Sequence, residues 1–216
     1  MLYFNCDYTE GAHPHILEKM QETNLEQTIG YGEDEYCEQA RTLIRRECGR
    51  YDVDVHFLVG GTQANFTVIR ASLRSHQGVI APVTGHINGH ETGAVEATGH
   101  KVLAQACGPE GKLTADQVEQ AVTAPWTDEA REHLVQPKMV YISHPTENGA
   151  LYTLAELEEL SRVCRERGLY LFADGARLGY GHTARGEDVT LPDLARLCDA
   201  FTIGGTKCGA LLGEAV

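Results

Sequence analysis

The stretch Leu169-Tyr-Leu-Phe-Ala-Asp-Gly-Ala-Arg177 decides the fold class of this chain. Its first residues are apolar until Asp174, which is typical of a strand covered on both faces and therefore of a parallel sheet. A strong helical segment, 153–167, precedes this strand, and Gly168 marks the end of the helix. The stretch therefore predicts a buried strand of an α/β fold, with Asp174 at its carboxyl end.

Helical and strand-like segments alternate along the rest of the chain. Two helices begin at capping boxes, in which Thr114 precedes Gln117 and Thr153 precedes Glu156. The alternation indicates right-handed crossovers and a mostly parallel sheet. The predicted helices are 14–21, 34–48, 62–73, 114–122, 153–167 and 191–197, and a short helix lies between the second and third strands. The predicted strands are 53–59, 79–81, 101–106, 139–143, 169–174 and 200–203; residues 124–137 are expected to form a loop.

Charge and hydropathy exclude two classes of partner. The chain has 216 residues and a formal net charge of −13, whereas proteins that bind nucleic acid cluster lysine and arginine against the phosphates. Its apolar runs are all shorter than the ~20 residues that span a bilayer. The N-terminus lacks the basic and apolar regions of a signal peptide. We therefore expect neither a nucleic-acid partner nor a membrane segment.

The cysteines argue against a structural disulfide or zinc framework. There are seven of them, an odd number, and no pair has C-x-x-C spacing. Reduced thiols are the ordinary state in the cytosol, so the expected location is cytoplasmic. The cysteines are Cys6, Cys37, Cys48, Cys107, Cys164, Cys198 and Cys208.

Two residues at strand ends suggest pyridoxal phosphate (PLP) chemistry. Lys207 lies in the glycine-rich stretch Thr202-Ile-Gly-Gly-Thr-Lys-Cys-Gly-Ala210, and Asp174 ends the buried strand. A lysine amine can form a Schiff base with the cofactor aldehyde. An aspartate can pair with the pyridine nitrogen and keep it protonated. Taken singly, a solvated lysine and a strand-end cap would be the better interpretations; taken with the loops below, the pair favours PLP.

The turn Gly60-Gly61-Thr62 lies between a predicted strand and a predicted helix. Its glycines allow the backbone to approach a phosphate, and the helix N-terminus offers free N–H groups. A tight turn with Thr62 as the helix N-cap is an equally good interpretation of this turn alone. The motif is not a Walker A loop, because the G-K-[ST] ending is absent.

The loop His86-Ile-Asn-Gly-His-Glu91 follows another strand. His86 could stack on a flat cofactor ring, and a carboxylate could orient a catalytic group. A polar loop with two histidines by chance is the alternative. His86, His90 and Glu91 do not have the H-E-x-x-H arrangement, so no metal site is expected.

Two further segments have open interpretations. Arg177 follows Asp174 by three residues, and its guanidinium could bind the carboxylate of an amino acid through two parallel hydrogen bonds. It could instead form an ion pair with Asp174 and steady the loop. Ser143-His-Pro-Thr-Glu147-Asn-Gly149 could hold a catalytic base or form a turn.

These candidate residues all follow predicted strands. Segment 60–62, Asp174 and segment 204–207 lie at or just beyond strand ends, and ligands of parallel sheets bind outside the carboxyl ends of the strands. We therefore expect them to share one site. Because the apolar stretch 209–216 resembles the start of another strand, the chain is expected to be part of a longer enzyme.

Five motifs in order along the chain resemble the L-threonine aldolase and β-eliminating lyase family of fold-type-I PLP enzymes. They are Gly30-Tyr-Gly-Glu-Asp34, Gly61-Thr62, His86-Ile87 with Glu91, Asp174-Gly-Ala-Arg177 and Thr206-Lys207. The resemblance covers essentially the whole chain. It implies a three-layer α/β large domain with a mostly parallel sheet at 34–216, an N-terminal arm at 1–33, and an absent C-terminal small domain.

The resemblance also implies which residues hold the cofactor. Lys207 matches the Schiff-base lysine and Asp174 the partner of the pyridine nitrogen. His86 matches the histidine that stacks on the ring. The remaining cofactor-binding residues are expected to be Gly60, Gly61, Thr62 and Thr206.

The implied substrate site both matches the family pattern and departs from it. Arg177 matches an arginine that binds the substrate carboxylate. Many family members have T-H-N-G where this chain has Thr146-Glu-Asn-Gly149, so the role of that histidine does not transfer to Glu147. Family members often have Ser-Asp where this chain has Cys6-Asp7.

The function implied is PLP-dependent aldol cleavage of β-hydroxy-α-amino acids, such as L-threonine or allo-threonine to glycine and acetaldehyde. His86, acting through a water, is the candidate base. The alternatives are PLP-dependent β-elimination or transamination, and a non-catalytic domain that binds a phosphorylated ligand. The resemblance also implies a homodimer or homotetramer, with the arm against a neighbour and segment 31–34 near the interface.

Overall fold

A computed structural model describes residue 3 and residues 5–216. A five-stranded parallel sheet in the order β3-β2-β4-β5-β6 forms its centre. The strands are β1 (Phe57–Leu58), β2 (Gln77–Pro82), β3 (Val102–Gln105), β4 (Gln136–Ser143), β5 (Tyr170–Asp174), β6 (Ala200–Phe201), β7 (Ile203–Gly204) and β8 (Glu214–Ala215). The α-helices are α1 (Pro14–Thr23), α2 (Glu35–Glu47), α3 (Gly61–Ser72), α4 (His86–Gly89), α5 (Ala94–Ala97), α6 (Ala115–Thr123), α7 (Leu154–Arg167), α8 (Leu178–Gly181) and α9 (Leu191–Leu197).

Three short strands form a second, antiparallel sheet beside the first, in the order β1-β8-β7. β8 pairs with both β7 and β1 in the antiparallel sense. Only Thr202 separates β6 from β7, and its N–H donates to the carbonyl of Ala173 at 3.0 Å. The N–H of Gly204 donates to the carbonyl of Gly175, also at 3.0 Å. β7 therefore continues along the end of β5, and β8 and β1 lie beyond it.

Alternate residues of the central strands face two separate hydrophobic cores. Val140 and Ile142 pack with residues of α6, α7 and α9, whereas Met139 and Tyr141 pack with residues of α3, α4 and α5. Successive side chains of a strand point to opposite faces, so helices cover the sheet on both sides. This arrangement gives the three-layer α/β architecture that the sequence predicts.

The local signals for helix ends are present in the structure. α6 and α7 both begin with the reciprocal hydrogen bonds of a capping box. α7 ends at Gly168, whose φ of 63° lies in the left-handed region that favours glycine. Asp34 caps α2 by accepting a hydrogen bond from the N–H of Cys37 at 2.9 Å.

The strand predicted before the glycine turn is much shorter than expected. Backbone pairing begins only at His56, which exchanges hydrogen bonds with Val216 at 2.9 and 2.8 Å, because arginines of α2 bind the carbonyls before it. The Nε atoms of Arg45 and Arg41 donate to the carbonyls of Val53 and Val55 at 3.0 and 3.1 Å. These carbonyls are therefore satisfied by side chains.

Two other predicted segments also differ from the structure. The expected loop at 124–137 contains two 3₁₀ turns, Ala124–Thr127 and Arg131–His133, and its end belongs to β4. The strand expected at 200–203 is interrupted at Thr202. Residues 1, 2 and 4 of the predicted arm lie outside the described residues. Within residue 3 and residues 5–216, none of the helices combines the length and apolar character needed to cross a bilayer.

Candidate active site

A cavity of about 470 Å³ opens at the carboxyl ends of the parallel strands. This volume is within the ordinary range for small-molecule sites. All eight residues assigned to a site from the sequence line it: Gly60, Gly61, Thr62, His86, Asp174, Arg177, Thr206 and Lys207. The structure thus brings together segments that are up to 147 residues apart between Gly60 and Lys207.

One end of the cavity is the N-terminus of α3. The N-cap is Gly60, and no side chain caps the helix. The alternative with Thr62 as N-cap is therefore wrong; Thr62 lies inside the first turn. No atom lies within 4 Å of the position that a Cβ would take on Gly60. Free N–H groups, the helix dipole and open space together suit an anion such as a phosphate.

Asp174 lies on the floor of the cavity, at the end of β5, and only 4% of it is exposed. Its Oδ1 accepts the N–H of Ala176 at 2.9 Å. Its Oδ2 accepts Nδ2 of Asn65 at 2.9 Å and the hydroxyl of Tyr141 at 2.7 Å. A carboxylate has about four acceptor positions, so one remains for a further donor. A protonated pyridine nitrogen is a donor that this position would suit.

His86 forms a wall of the cavity at the start of α4. Its Nδ1 lies 2.8 Å from Oε1 of the buried Glu91, and this hydrogen bond raises the pKa of His86 above its usual value. Glu91 also accepts Nδ2 of Asn65 at 2.8 Å. Glu91 therefore fixes the ring of His86, and Asn65 links Glu91 to Asp174.

Tyr141, which sequence reasoning did not single out, and Ser143 extend this network along β4. The hydroxyl of Tyr141 lies 3.2 Å from that of Ser143, which donates to Oε1 of Glu147 at 2.5 Å. Burial, and then the charge of Asp174, raise the pKa of Tyr141 well above its usual value, so its hydroxyl stays a donor. Tyr141 and Ser143 alternate with apolar residues along β4, and this alternation was the only feature of the sequence that pointed to Tyr141.

Glu147 closes the network. Its Oε1 accepts the backbone N–H of His86 at 2.8 Å. The hydrogen bonds therefore form a closed ring that runs from Asp174 through Tyr141, Ser143, Glu147, His86, Glu91 and Asn65 back to Asp174. Glu147 lines the cavity, so the segment 143–149 contributes a carboxylate to the site as well as a turn.

Lys207 lies in the 3₁₀ turn Thr206–Cys208, which follows β7. Its backbone carbonyl accepts the hydroxyl of Tyr180. Its Nζ lies 5.9 Å from the ring centre of Tyr8. Among residue 3 and residues 5–216, no carboxylate lies within 4 Å of Nζ. The amine thus faces the cavity without an ion pair to hold it.

Arg177 forms an ion pair, but with Asp7 and not with Asp174 as the sequence suggested. It lines the cavity, and its Nε and Nη2 also contact Oδ2 and Oδ1 of Asp7 at 2.5 and 3.1 Å. The hydrogen bond with Arg177 lowers the pKa of Asp7. Because about a third of each side chain is exposed, this ion pair is a weak constraint.

Glu214 is another cavity residue that sequence reasoning missed. It lies on β8, only 5% exposed, and lines the cavity beside Asp174 and Lys207. The only signal was a single acidic residue in the apolar stretch 209–216. Within the part of the chain that the structure describes, no group of three or more His, Cys, Asp or Glu residues is placed to hold a metal ion.

The comparisons with known proteins agree with this geometry. The family model for beta-eliminating lyase matches residues 4–213. The chain belongs to the beta-eliminating lyase family. A low specificity L-threonine aldolase of Pseudomonas aeruginosa is 31% identical to this family member over 99% of the chain and 60% of the relative. One of Saccharomyces cerevisiae is 26% identical over 91% of the chain and 50% of the relative.

A solved structure of a threonine aldolase of Leishmania major gives the same result for the fold. It is 49% identical, has a TM-score of 0.92, and aligns with 97% of this chain and 60% of its own. The predicted fold, the mostly parallel α/β domain of fold-type-I PLP enzymes, is therefore confirmed. This beta-eliminating lyase family member spans about 60% of the length of the Pseudomonas aeruginosa and Leishmania major relatives.

Proposed function

We propose that this chain provides the PLP-binding part of an enzyme that cleaves β-hydroxy-α-amino acids to glycine and an aldehyde, with threonine or allo-threonine as substrate. The observation that carries the proposal is that Lys207, Asp174 and the N-terminus of α3 line a single cavity. An amine, a carboxylate with a free acceptor position and an anion site match the aldehyde, the pyridine nitrogen and the phosphate of PLP. The names of the relatives support the aldolase reaction.

Each end of the cofactor would have its own partners. The N–H groups at the start of α3 and the hydroxyls of Thr62 and Thr206 would hold the phosphate. Asp174 would accept the N–H of the ring nitrogen. The imidazole of His86 would lie against the ring. The bound cofactor would supply an electron sink for the bond that breaks at Cα.

His86 is the proposed base for the β-hydroxyl group of the substrate. Glu91 contacts Nδ1, which leaves Nε2 as the ring nitrogen that can take a proton, directly or through a water. Loss of the hydroxyl proton breaks the Cα–Cβ bond and releases an aldehyde. Addition of a proton at Cα completes glycine. For threonine, the aldehyde is acetaldehyde.

The test is a product assay on the full-length protein loaded with PLP. Threonine and allo-threonine should each yield equal amounts of glycine and acetaldehyde. Ammonia with a keto acid would indicate β-elimination, and transfer of the amino group to an added keto acid would indicate transamination. Failure to bind PLP at all would contradict the proposal and favour a binding domain for another phosphorylated ligand.

Arg177 is proposed to hold the substrate carboxylate. Arg177→Lys keeps the charge but loses the paired geometry of the guanidinium, so KM for threonine should rise by about tenfold or more. A contact made equally in the ground state and the transition state affects KM more than kcat. The measurement is steady-state kinetics, with the visible spectrum of the bound cofactor expected to stay unchanged.

Asp7→Asn is the matched control for this prediction. It removes the ion pair with Arg177 but leaves the guanidinium in the cavity. If Arg177 only steadies its loop through Asp7, the two variants should have the same effect on KM. A normal KM in Arg177→Lys with weakened PLP binding would make Arg177 a cofactor or structural residue.

We also propose that the protein is a homodimer or homotetramer. Large apolar side chains are exposed together between α1 and α2: Leu25 is 91% exposed, Ile29 70%, and Tyr31 fully exposed. Contiguous exposed apolar surface is typical of interaction sites. Light scattering of the full-length protein should give a multiple of the monomer mass. A stable and active monomer would contradict this proposal.

A further inference from the structure

Glu214 is a buried acid at the end of the cavity that the N-terminus of α3 forms. It is 95% buried, since 5% of its surface is exposed. Its Oε1 lies 3.6 Å from the position that a Cβ would take on Gly61, the first residue of α3. Its Oε2 is buried and has no hydrogen-bond partner among residue 3 and residues 5–216. An unpaired polar atom in such a position is costly unless a ligand satisfies it.

The surroundings of Glu214 disfavour its ionised form. Burial, and then the negative charge of Asp174 on β5, raise the pKa of Glu214 to about 7. Lys207, in the turn after β7, acts in the opposite direction but is not within 4 Å of the carboxyl group. α3 and β1 contribute no ionisable side chain to the cavity. Its other ionisable groups are Tyr8, His86, His90, Glu147 and Arg177.

The N-terminus of α3 and Glu214 thus meet at the same point. The helix has 12 residues, and no side chain caps it. Free N–H groups there attract an anion. A neutral carboxylic acid offers one O–H donor, whereas an ionised carboxylate offers none and would repel the anion. The protonated form of Glu214 is therefore the one that can share an anion with the helix N-terminus.

We propose that Glu214 holds a proton and donates it in a hydrogen bond to an anionic oxygen bound at the N-terminus of α3. This assignment rests on the proposed function, in which the oxygen belongs to the phosphate of PLP. Glu214 is then a binding residue for the cofactor, and it makes phosphate affinity depend on pH. Affinity falls as the pH rises through the range in which Glu214 ionises.

The experiment compares wild type with Glu214→Gln, which keeps an N–H donor but cannot ionise. The probe is pyridoxamine phosphate, because it has no aldehyde to react with Lys207. Its Kd is measured by fluorescence titration from about pH 6 to about pH 8.5. If only protonated Glu214 binds, the ratio of the wild-type Kd to the Glu214→Gln Kd should rise about 30-fold over this range. With a pKa of about 7, the protonated fraction of Glu214 falls by about that factor between the two pH values.

Two further variants control for folding and for surface charge. Glu214→Ala removes the donor and should bind weakly at every pH, with a normal circular dichroism spectrum. Glu129→Gln, at an exposed position away from the cavity, should follow wild type. Any titration of the phosphate itself is common to all variants and cancels in the ratio.

The possible outcomes separate this inference from the proposed function. Identical pH profiles for wild type and Glu214→Gln would overturn the role of Glu214 while leaving PLP binding intact. Tighter binding by wild type at high pH would show that the ionised form is the one that binds, which also overturns it. Absence of pyridoxamine phosphate binding by wild type at any pH would contradict both.

Discussion

Lys207→Ala should abolish glycine release from threonine and the visible absorbance that comes from covalently held PLP. The amine of Lys207 faces the cavity opposite Asp174, and alanine leaves nothing that can react with the cofactor aldehyde. We expect turnover to fall about a thousandfold or more, which corresponds to about 4 kcal/mol of transition-state stabilisation. The measurements are a glycine-release assay and a visible spectrum after dialysis against PLP.

Lys101→Ala is the control for this variant. Lys101 is exposed and immediately precedes β3, at the edge of the sheet opposite the cavity. Its replacement should leave both activity and spectrum unchanged. Wild-type turnover in Lys207→Ala would refute the assignment of Lys207. Borohydride reduction of the wild-type protein, followed by peptide mapping, should also place the cofactor on this residue.

Asp174→Asn should retain PLP but slow glycine release by about 10²- to 10³-fold, the usual effect of removing one preorganised electrostatic partner. The amide cannot hold the pyridine nitrogen in its charged form, so the electron sink is weaker. Asparagine also has one acceptor oxygen for the three donors that now contact Asp174. A loss of about 1–3 kcal/mol of stability is therefore expected as well.

The stability effect has to be separated from the catalytic one. Asp116→Asn, in the exposed first turn of α6, controls for a surface substitution and should behave as wild type. Activity is compared at a temperature well below both unfolding midpoints. If Asp174→Asn is fully active there, Asp174 does not support the cofactor ring, and the site proposed here is wrong.

Local sequence signals predicted most of the fold because they depend on neighbouring residues. The capping boxes at Thr114 and Thr153 mark the starts of α6 and α7, and Gly168 the end of α7. The apolar stretch at 169–174 is a central strand that both hydrophobic cores cover. The strand predicted at 53–59 was too long, because arginine side chains of the preceding helix, α2, bind the carbonyls of Val53 and Val55.

The grouping of the candidate residues was also predictable from the sequence. Lys207, Asp174 and the turn at Gly60 each follow a strand, and parallel strands bring their carboxyl ends to one edge. No long-range contact has to be known for this inference.

The sequence by itself determined most of the strand and helix order, the parallel central sheet and the eight candidate residues that meet at its edge. Only the tertiary structure decided the partners of those residues. Arg177 pairs with Asp7, 170 positions away, and Glu214 enters the site from a short strand that runs against its neighbours. Such contacts depend on how segments far apart in the chain pack against each other. Local propensity and hydrophobic periodicity do not contain that information, so the sequence alone could not predict them.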